Sequence, residues 1–376
     1  MSNVRPDPAP SMVISPEFCY CSPMLKDAIP KPLKILFATP GHLKTVPMGK
    51  FCAEALSALG HELLVFDYRA TVMDKFRDRL ADFSQARVEE KPATNARLRK
   101  AIDRFKPDLF LTLFGFDISI ESLNYLRTLG IPSACWWIND PFQLPRSLKK
   151  AAHYDYLFSN SAGCLDQYKE AGTRQAFFLP TACDPSVHRP VAARPEYACD
   201  VCFAGDWSPL RERIIEKLVD HFDVKIFGPW SKKIAPDSKL HRHLKDGFFT
   251  PDEMAAMFCS AKVVLNIHTW YGNFDHGVNP RLFEAAGCGA FQVVDWKLEI
   301  PSLFDGETEI RCYRNEDELI EIIRQVLADD ELRGRVAHAA QLRAHRDHTY
   351  RNRMESLLKL VAENPCSPEQ TSRPIG

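Results

Sequence analysis

The chain alternates short apolar runs with helical stretches from about residue 33 to residue 362, and this alternation restricts its fold more than any other feature. Runs such as LKILFAT (33–39) and DLFLTLFG (108–115) are almost continuously apolar and do not alternate in polarity. Strands of this kind are typical of parallel sheets that are covered by helices on both faces. The sequence therefore predicts an α/β protein with doubly wound parallel sheets.

The alternation stops and then starts again, which predicts two domains. The proline-rich stretch DPSVHRPVAARPEYACD (184–200) separates the two series, and VCFAG (201–205) begins the second. We expect a flexible N-terminal arm at 1–30, a first domain at 31–183, a linker at 184–200, a second domain at 201–334, C-terminal helices at 335–363 and a flexible tail at 364–376. Ligands of such sheets bind at the carboxyl ends of the strands, so the residues there are the candidates for function.

Charge and hydropathy argue against several classes of protein. The chain has 48 basic and 49 acidic residues and a net charge of -1, whereas nucleic-acid binders normally carry a basic excess. No apolar run approaches the roughly 20 residues that span a bilayer. We therefore expect no nucleic-acid partner, no transmembrane segment and a cytoplasmic location. Most of the twelve cysteines lie in apolar segments, and the CxxC at Cys199 and Cys202 has no second pair, so we expect free thiols and no metal site.

The stretch NPRLFEAAGCGAFQVVD (279–295) places two opposite charges in a helix that is otherwise apolar. Asn279 is a good N-cap and Pro280 suits the first helical position, so a helix should begin there. Arg281 in the first turn could clamp an anion with two hydrogen bonds, and Glu284 on the same face could accept hydrogen bonds from hydroxyl groups. The alternative is an exposed ion pair between the two side chains.

A similar arrangement occurs in CFAGDWSPLRERI (202–214), where a strand is followed by a helix. Gly205 ends the strand, and Arg211 falls in the first turn of the helix, where the helix dipole disfavours a cation. An anionic ligand would explain an arginine at that position. The alternative is that Arg211 reaches solvent or pairs with Glu212 or Glu216.

His268 follows the apolar run VLNI and precedes the polar, aromatic loop HTWYGNFDHGVN. From that place it could contact a sugar or a diphosphate. A buried histidine whose hydrogen bonds are satisfied at a strand end is the alternative.

Two candidates for acid–base chemistry follow strands of the first domain. Gly41 permits a close backbone approach in the loop after the first strand, and His42 beside it could act as a general base. Asp140, after the strand PSACWWIND (132–140), could place a carboxylate in the cleft or could simply form a turn. The loop at Gly41 matches neither a P-loop nor a dinucleotide-binding fingerprint.

The stretches DVCFAGDWSPLRERIIEKL, NPRLFEAAGCGAFQVVD and HTYRNRMESLL resemble the spore-maturation CgeB-type glycosyltransferases of the GT-B class. The resemblance covers about residues 33 to 362 and implies two Rossmann-like domains that face a central cleft. It implies that the first domain receives the acceptor, that the final helices cross back to that domain, and that no metal or other cofactor is required. It also implies a donor site in the second domain, lined by Gly205, Arg211, Asn279, Arg281 and Glu284.

The chain departs from this class at one position. Many retaining members carry two glutamates eight positions apart, and the second holds the ribose. Counting eight residues from Glu284 reaches Gln292, so a carboxylate at this point would have to come from Asp295 or Glu299. The sequence therefore leaves open whether the anomeric configuration is retained or inverted.

The resemblance implies a bacterial, metal-independent glycosyltransferase that moves a hexose-like sugar from a nucleotide diphosphate. The acceptor hydroxyl would belong to a glycan, a lipid-linked saccharide or a protein. Two alternatives stay open, namely a GT-B sugar epimerase and a non-catalytic nucleotide-sugar sensor or assembly protein that retains the fold.

Overall fold

The computed structural model describes residues 31–40, 47–69 and 91–366. These residues form two six-stranded sheets whose paired strands are all parallel, with helices packed against both. The predicted architecture of two Rossmann-like, doubly wound domains is confirmed.

The first sheet has the strand order β2-β1-β3-β4-β5-β6. Its strands are β1 (Lys34–Thr39), β2 (Glu62–Asp67), β3 (Leu109–Leu113), β4 (Ser133–Trp137), β5 (Tyr156–Ser159) and β6 (Gln175–Phe178). Its helices are α1 (Met48–Ala58), α2 (Pro92–Phe105), α3 (Ile120–Thr128), α4 (Leu144–Ala151) and α5 (Leu165–Glu170). Every residue of β3, β4 and β5 is buried, which explains why these strands read as continuous apolar runs.

The second sheet has the order β12-β11-β10-β7-β8-β9. Its strands are β7 (Cys199–Ala204), β8 (Val224–Phe227), β9 (Leu244–Lys245), β10 (Ala261–Asn266), β11 (Gln292–Asp295) and β12 (Arg311–Tyr313). The helices that follow β7 are α6 (Pro209–Leu218), α7 (Pro251–Ser260), α8 (Arg281–Gly287), α9 (Ile300–Leu303), α10 (Glu316–Leu327), α11 (Asp330–Asp347) and α12 (Tyr350–Glu363). The short edge strand β9 carries too little apolar sequence to be found by periodicity.

The last two helices pack against different domains. In α11, Ala340 and Ala344 belong to a core cluster that also contains residues of α8. In α12, Tyr350, Met354 and Leu357 lie in the core that contains β1, β3 and β4. The predicted C-terminal segment 335–363 is therefore divided. Its second part, α12, packs on the first domain, whereas its first part, which belongs to α11, packs on the second.

Two helices of the second domain begin at a proline that follows a capping side chain. The Ser208 hydroxyl accepts a hydrogen bond from the Arg211 amide at 3.2 Å, and α6 begins at Pro209 as predicted. Thr250 forms a reciprocal capping box with Glu253 at the start of α7. These caps end the preceding loops at defined points, and so they fix where each helix leaves the edge of the sheet.

Three expectations can be compared with the described part of the chain: no transmembrane segment, free thiols and no metal site. None of its helices combines the length and the apolarity that crossing a bilayer requires. Its cysteines are free thiols, and Cys199 and Cys202 are buried in β7. Within the same ranges, no three His, Cys, Asp or Glu side chains are grouped so that they could hold a metal ion. That the protein works without a metal stays a prediction.

Candidate active site at the junction of the domains

One short loop from each domain contacts the other at the carboxyl edges of the two sheets. Asn160, after β5, donates from Nδ2 to the Val278 carbonyl at 2.9 Å, and the Val278 amide donates to the Asn160 carbonyl at 3.2 Å. Beside them, Oγ of Ser161 lies 2.7 Å from Nδ1 of His276. We call residues 160–161 and 276–278 the domain clasp. It holds the loop that leads into α8 against the first domain.

Glu299 reinforces the domain clasp from the second domain. Its Oε1 accepts from the Ala162 amide and its Oε2 accepts from the Gly277 amide, each at 2.8 Å. The residue is buried, and burial raises the pKa of its carboxyl, although the backbone donors oppose that effect. Both oxygens are used within the protein, so Glu299 organises the junction and is not free to bind a ligand.

The loop reaches α8 through Asn279, whose side chain caps the helix as predicted. Its Oδ1 accepts from the Leu282 amide at 3.2 Å, and its amide exchanges two hydrogen bonds with Asn266 at the end of β10. The regular helix begins at Arg281, one residue later than predicted. Asn279 therefore positions the start of α8, and both polar atoms of its side chain are hydrogen-bonded within the protein.

Arg281 and Glu284 form the ion pair that was the alternative to ligand binding, but the pair is not on the surface. Nη1 of Arg281 lies 2.7 Å from Oε2 of Glu284, and their side chains are 15% and 2% exposed. The guanidinium also lies over the Phe258 ring, with 4.9 Å to its centroid. An ion pair removed from water in this way gains less than its desolvation costs, so stability alone gives no reason to keep it.

The interdomain linker covers the other side of Glu284. Nε2 of His188 lies 4.0 Å from Oε1 of Glu284, while Nδ1 of His188 accepts from the Asp184 amide. Since Nδ1 is an acceptor, the proton of the neutral ring is on Nε2 and faces the carboxylate. A Cβ at Gly287 would approach the His188 carbonyl to 3.0 Å, so glycine permits this close contact between helix and linker.

Arg211 uses its donors differently from the prediction. Nε and Nη2 donate to the Ile267 carbonyl at 3.1 and 2.6 Å, and Nη1 donates to the Asp206 carbonyl at 2.9 Å. A Cβ at Gly205 would lie 3.6 Å from Nη1, so the predicted Gly205 and Arg211 do meet. Burial lowers the pKa of Arg211 to about 10, which leaves it charged at neutral pH. The described residues give it no carboxylate partner. The carboxylates of Asp206 and Asp295 favour its charge, and its donors bond to backbone carbonyls, so a direct contact of Arg211 with an anion stays a prediction.

His268 is the buried histidine of the alternative and not a ligand contact. Its Nδ1 lies 2.8 Å from Oδ1 of Asp295, and its Nε2 accepts from the Asn279 amide at 3.1 Å. Lys297 completes a buried triad, with Nζ 2.8 Å from Oδ2 of Asp295. Burial would raise the pKa of Asp295, but the two basic neighbours outweigh it and lower that pKa to about 2. Burial lowers the pKa of His268, so the ring is neutral. Both of its nitrogens form hydrogen bonds within the protein.

Asp140 does not face a cleft, and the prediction that it is the base is therefore wrong in its geometry. The residue is fully buried, and its Oδ2 accepts from the Ser159 and Tyr168 hydroxyls, both at 2.6 Å. Its backbone amide donates to Oδ1 of Asn160, which links it to the domain clasp. Burial raises the pKa of Asp140 to about 6. The other base candidate, His42, and the acceptor-side Gly41 lie outside the described residues, and their roles stay predictions.

Known proteins with similar sequences indicate which family this chain resembles. Residues 211–359, from α6 into α12, match the glycosyl transferase-like family. Spore protein CgeB of Bacillus subtilis (strain 168) is 23% identical over 221 residues, which cover 55% of this chain and 69% of CgeB. The chain is similar to CgeB, and its residues 211–359 are similar to a glycosyl transferase-like domain. The predicted resemblance is confirmed.

Solved structures share the fold of this chain at low sequence identity. Sucrose-phosphate synthase from Thermosynechococcus elongatus has a TM-score of 0.65 and 11% identity, over 88% of this chain and 98% of the synthase. Anabaena HepE in complex with UDP-glucose has a TM-score of 0.62 and 13% identity, over 88% of this chain and 100% of HepE. At these identities the likeness establishes the GT-B architecture.

The chain has no carboxylate at the position eight residues after Glu284. Gln292 is buried, its Nε2 donates to the Leu282 carbonyl at 3.1 Å, and its Oε1 accepts from Asn266 at 3.1 Å. Asp295 and Glu299 are equally occupied within the protein. All three side chains bond within the protein, so neither Asp295 nor Glu299 presents a free carboxylate at this point, and retention or inversion stays open.

Sequence reasoning missed four residues that the structure brings to this junction. They are Ser161, His188, His276 and Lys297. The first three act through partners that are distant in sequence, whereas Lys297 pairs with Asp295 two residues away and also donates to the Phe274 carbonyl. The long polar, aromatic loop before α8 signalled a functional segment, but not which of its side chains crosses to the first domain. His188 carried no signal beyond its place in the linker.

Proposed function

We propose that this chain transfers a sugar from a nucleotide diphosphate donor to an acceptor hydroxyl without the help of a metal. The observation that carries the proposal is the Arg281–Glu284 pair, a guanidinium that is 15% exposed beside a buried carboxylate at the edge where the domains meet. The glycosyl transferase-like match over residues 211–359 supports it, because that region contains the pair. The complex of HepE with UDP-glucose supports a nucleotide sugar as the ligand.

In this proposal the second domain binds the donor. Arg281 donates to the diphosphate, and Glu284 holds the guanidinium in place with Oε2, while its Oε1 faces the linker residue His188. The positive charge of Arg211, which the protein holds buried, also favours the anion that departs in the reaction. Two fixed guanidinium groups can take up the charge of the leaving diphosphate, which is the task that a metal ion performs in other transferases.

The chemical step forms a bond between the acceptor oxygen and the anomeric carbon and breaks the bond from that carbon to the phosphate oxygen. The electron pair of the broken bond leaves with the diphosphate, and the acceptor proton goes to a base. His42 remains our candidate for an inverting reaction, because Asp140 is enclosed. In a retaining reaction the leaving phosphate can take the proton itself.

The first experiment is a thermal-shift panel of UDP, GDP, ADP, CMP and dTDP with the purified chain. A ligand at a hundred times its Kd stabilises the folded state by about 2.7 kcal/mol, which is readily seen. We expect one base to stand out, and we expect the matching nucleotide sugar to be consumed with release of nucleoside diphosphate.

Other outcomes would favour other functions. Nucleotide binding without donor consumption, tested with a broad set of acceptors, would favour the sensor. Conversion of the donor into an isomeric nucleotide sugar would favour an epimerase. A flat panel from folded protein would contradict the donor site at Arg281.

A further inference from the structure

The chain passes from one domain to the other twice, and the two crossings are hydrogen-bonded to each other. The first crossing is the linker, which leaves the first domain after Cys183, and the second is the turn at His348 and Thr349 between α11 and α12. The Cys183 amide donates to the His348 carbonyl at 2.9 Å, and the Tyr350 amide donates to the Cys183 carbonyl at 3.1 Å. A side chain that contacts both crossings can therefore influence how the domains are placed relative to each other.

Arg353, in the first turn of α12, is such a side chain, and it is only 1% exposed. Its Nε donates to the carbonyls of Pro180 and Thr181, at 2.9 and 3.1 Å, just before the first crossing. Its Nη1 donates to the Asp347 carbonyl at 3.1 Å, and its Nη2 lies 3.0 Å from Nδ1 of His348, both in the second crossing. Because the donors of a guanidinium point in fixed directions, these bonds fix both crossings relative to α12.

The same guanidinium reaches the second domain through a group of aromatic rings. Its central carbon lies 5.4 Å from the centroid of the Phe283 ring, on α8. The centroid of the His348 ring lies 5.3 Å from that of Phe283 and 5.0 Å from that of Phe304. We call these three rings the aromatic socket. Burial lowers the pKa of His348 to about 3, so its ring is neutral: Nε2 donates to the Leu303 carbonyl at 2.8 Å, and Nδ1 accepts from Arg353.

Stability alone does not explain why this position holds an arginine. Taking a guanidinium out of water has a large free-energy cost, and an apolar side chain that fills the space of a buried charge often leaves a protein as stable or more so. An apolar side chain would not, however, bond to both crossings and contact α8 at the same time. What Arg353 adds is a defined geometry between α12 and α8.

We infer that Arg353 is a positioning residue, which holds α8 in place relative to the first domain and so fixes where Arg281 meets the diphosphate of the donor. Phe283 lies between Arg281 and Glu284 on the same short helix, so a shift of its ring moves that pair as well. The domain clasp holds the loop before α8, whereas Arg353 contacts the helix itself. The effect on the donor rests on the proposed function, but the placement of α8 does not.

Hydrogen–deuterium exchange, measured by mass spectrometry on the full chain, tests the placement of α8 without any ligand. Arg353→Met removes the donors and keeps a long side chain. Arg353→Lys keeps the charge without the fork of donors, and it keeps the test possible if Arg353→Met does not fold. Leu357→Ala, one turn further along α12, is the matched control, because Leu357 is fully buried in the core of the first domain. Circular dichroism and the melting temperature establish that each variant is folded.

We expect the amides of residues 276–287 to exchange about tenfold faster in Arg353→Met than in the wild type, with a smaller change in Arg353→Lys. Leu357→Ala should speed exchange within α12 and leave residues 276–287 unchanged. Unchanged exchange of 276–287 in Arg353→Met would overturn the inference. So would an equal increase in Arg353→Met and Leu357→Ala, because Arg353 would then act only by stabilising α12.

Titration with UDP, GDP, ADP and dTDP, and with the corresponding nucleosides, tests the effect on the donor site in the same four proteins. For a diphosphate that binds the wild type, we expect a Kd about tenfold higher in Arg353→Met, and a Kd close to that of the wild type in Leu357→Ala. The Kd of the nucleoside should change little, since it makes no contact with Arg281. An unchanged Kd of the diphosphate in Arg353→Met would overturn the role of Arg353 at the donor site. Absence of nucleotide binding by the wild type would count against the proposed function, while the exchange measurement would still decide whether Arg353 holds α8.

Discussion

Oγ of Ser161 lies 2.7 Å from Nδ1 of His276, and this contact joins a strand end of the first domain to the loop that enters α8. The pKa of His276 is lowered by burial, so the ring is neutral at pH 7 and the contact is a hydrogen bond between uncharged groups. Through this loop, the domain clasp connects the first domain to Asn279 and Arg281. The geometry of the candidate donor site therefore depends on the contact between the domains.

Replacing Gly277 should weaken the domain clasp more than replacing a glycine of similar conformation elsewhere in the loop. Gly277 has φ of +83°, and an added Cβ would lie 2.6 Å from Cδ of Pro141 and 2.8 Å from the Asp140 carbonyl. Gly272 has φ of +78°, and nothing lies within 4 Å of its Cβ position. We expect Gly272→Ala to cost about 1–2 kcal/mol of unfolding free energy for its backbone alone. Gly277→Ala should cost a further 1–3 kcal/mol, roughly, for steric conflict.

Urea denaturation of the two alanine variants measures this difference. A nucleotide titration should also show weaker binding for Gly277→Ala than for Gly272→Ala, because the clasp positions α8. Equal free energies of unfolding for the two variants would show that Gly277 is not pressed against Pro141.

Asp140 should make the protein less stable as the pH rises through the weakly acidic range. Its pKa is about 6 in the folded protein, against an ordinary value of 3.8. Between these values the folded state keeps a proton that the unfolded chain has released, so the free energy of unfolding falls as pH increases. A shift of about two units corresponds to roughly 3 kcal/mol. We expect Asp140→Asn to remove this part of the slope between about pH 4 and pH 6.

Equilibrium unfolding at a series of pH values provides the measurement for Asp140→Asn, and an unchanged slope would contradict the assignment to Asp140. Because the carboxyl is enclosed, we also expect Asp140→Asn to turn over nucleotide sugar less than tenfold more slowly than the wild type, which corresponds to about 1.4 kcal/mol of barrier. A much larger fall, with nucleotide binding retained, would restore Asp140 as a catalytic group.

Removing the Asp295 carboxylate should destabilise the protein more than removing the whole ion pair. In Asp295→Asn the ammonium of Lys297 stays buried without its partner, which costs about 3–5 kcal/mol. Adding Lys297→Met removes that charge and should recover a substantial part of the loss. The free energies of unfolding of the two single variants and the double variant form a thermodynamic cycle. Additive losses would show that Asp295 and Lys297 do not interact.

Arg281→Ala should reduce the affinity for nucleoside diphosphate by roughly 10-fold to 100-fold, since hydrogen bonds to charged groups contribute about 1.5–3 kcal/mol. The affinity for the nucleoside alone should change little. Because the substitution strands the buried Glu284, the double variant Arg281→Ala/Glu284→Gln separates a binding defect from a folding defect. Arg324→Ala, which breaks an exposed pair with Glu321, is the control. Isothermal titration of both ligands checks the result, and equal losses for nucleoside and diphosphate would contradict the clamp.

Particular residues show how far sequence reasoning reached at the candidate site. The Asn279 cap and the Ser208–Pro209 start were predictable because a capping side chain bonds to an amide only two or three residues away. The Arg281–Glu284 pair was foreseen as a possibility because one helical turn brings positions i and i+3 together. Its burial was not foreseen, since it depends on the linker residue His188 and on α7.

The local pattern of the sequence by itself determined the elements and their class. Runs of apolar residues define strands that are buried on both faces, and caps, prolines and glycines set the helix ends, because these preferences act over a few neighbouring residues. Tertiary structure decided which polar side chains are enclosed and which remain accessible. His268, Asp140 and Gln292 all follow or begin apolar strands, yet each is closed off by partners 10 to 28 residues away. Such partners meet only when parallel strands align, and no short-range pattern records that alignment.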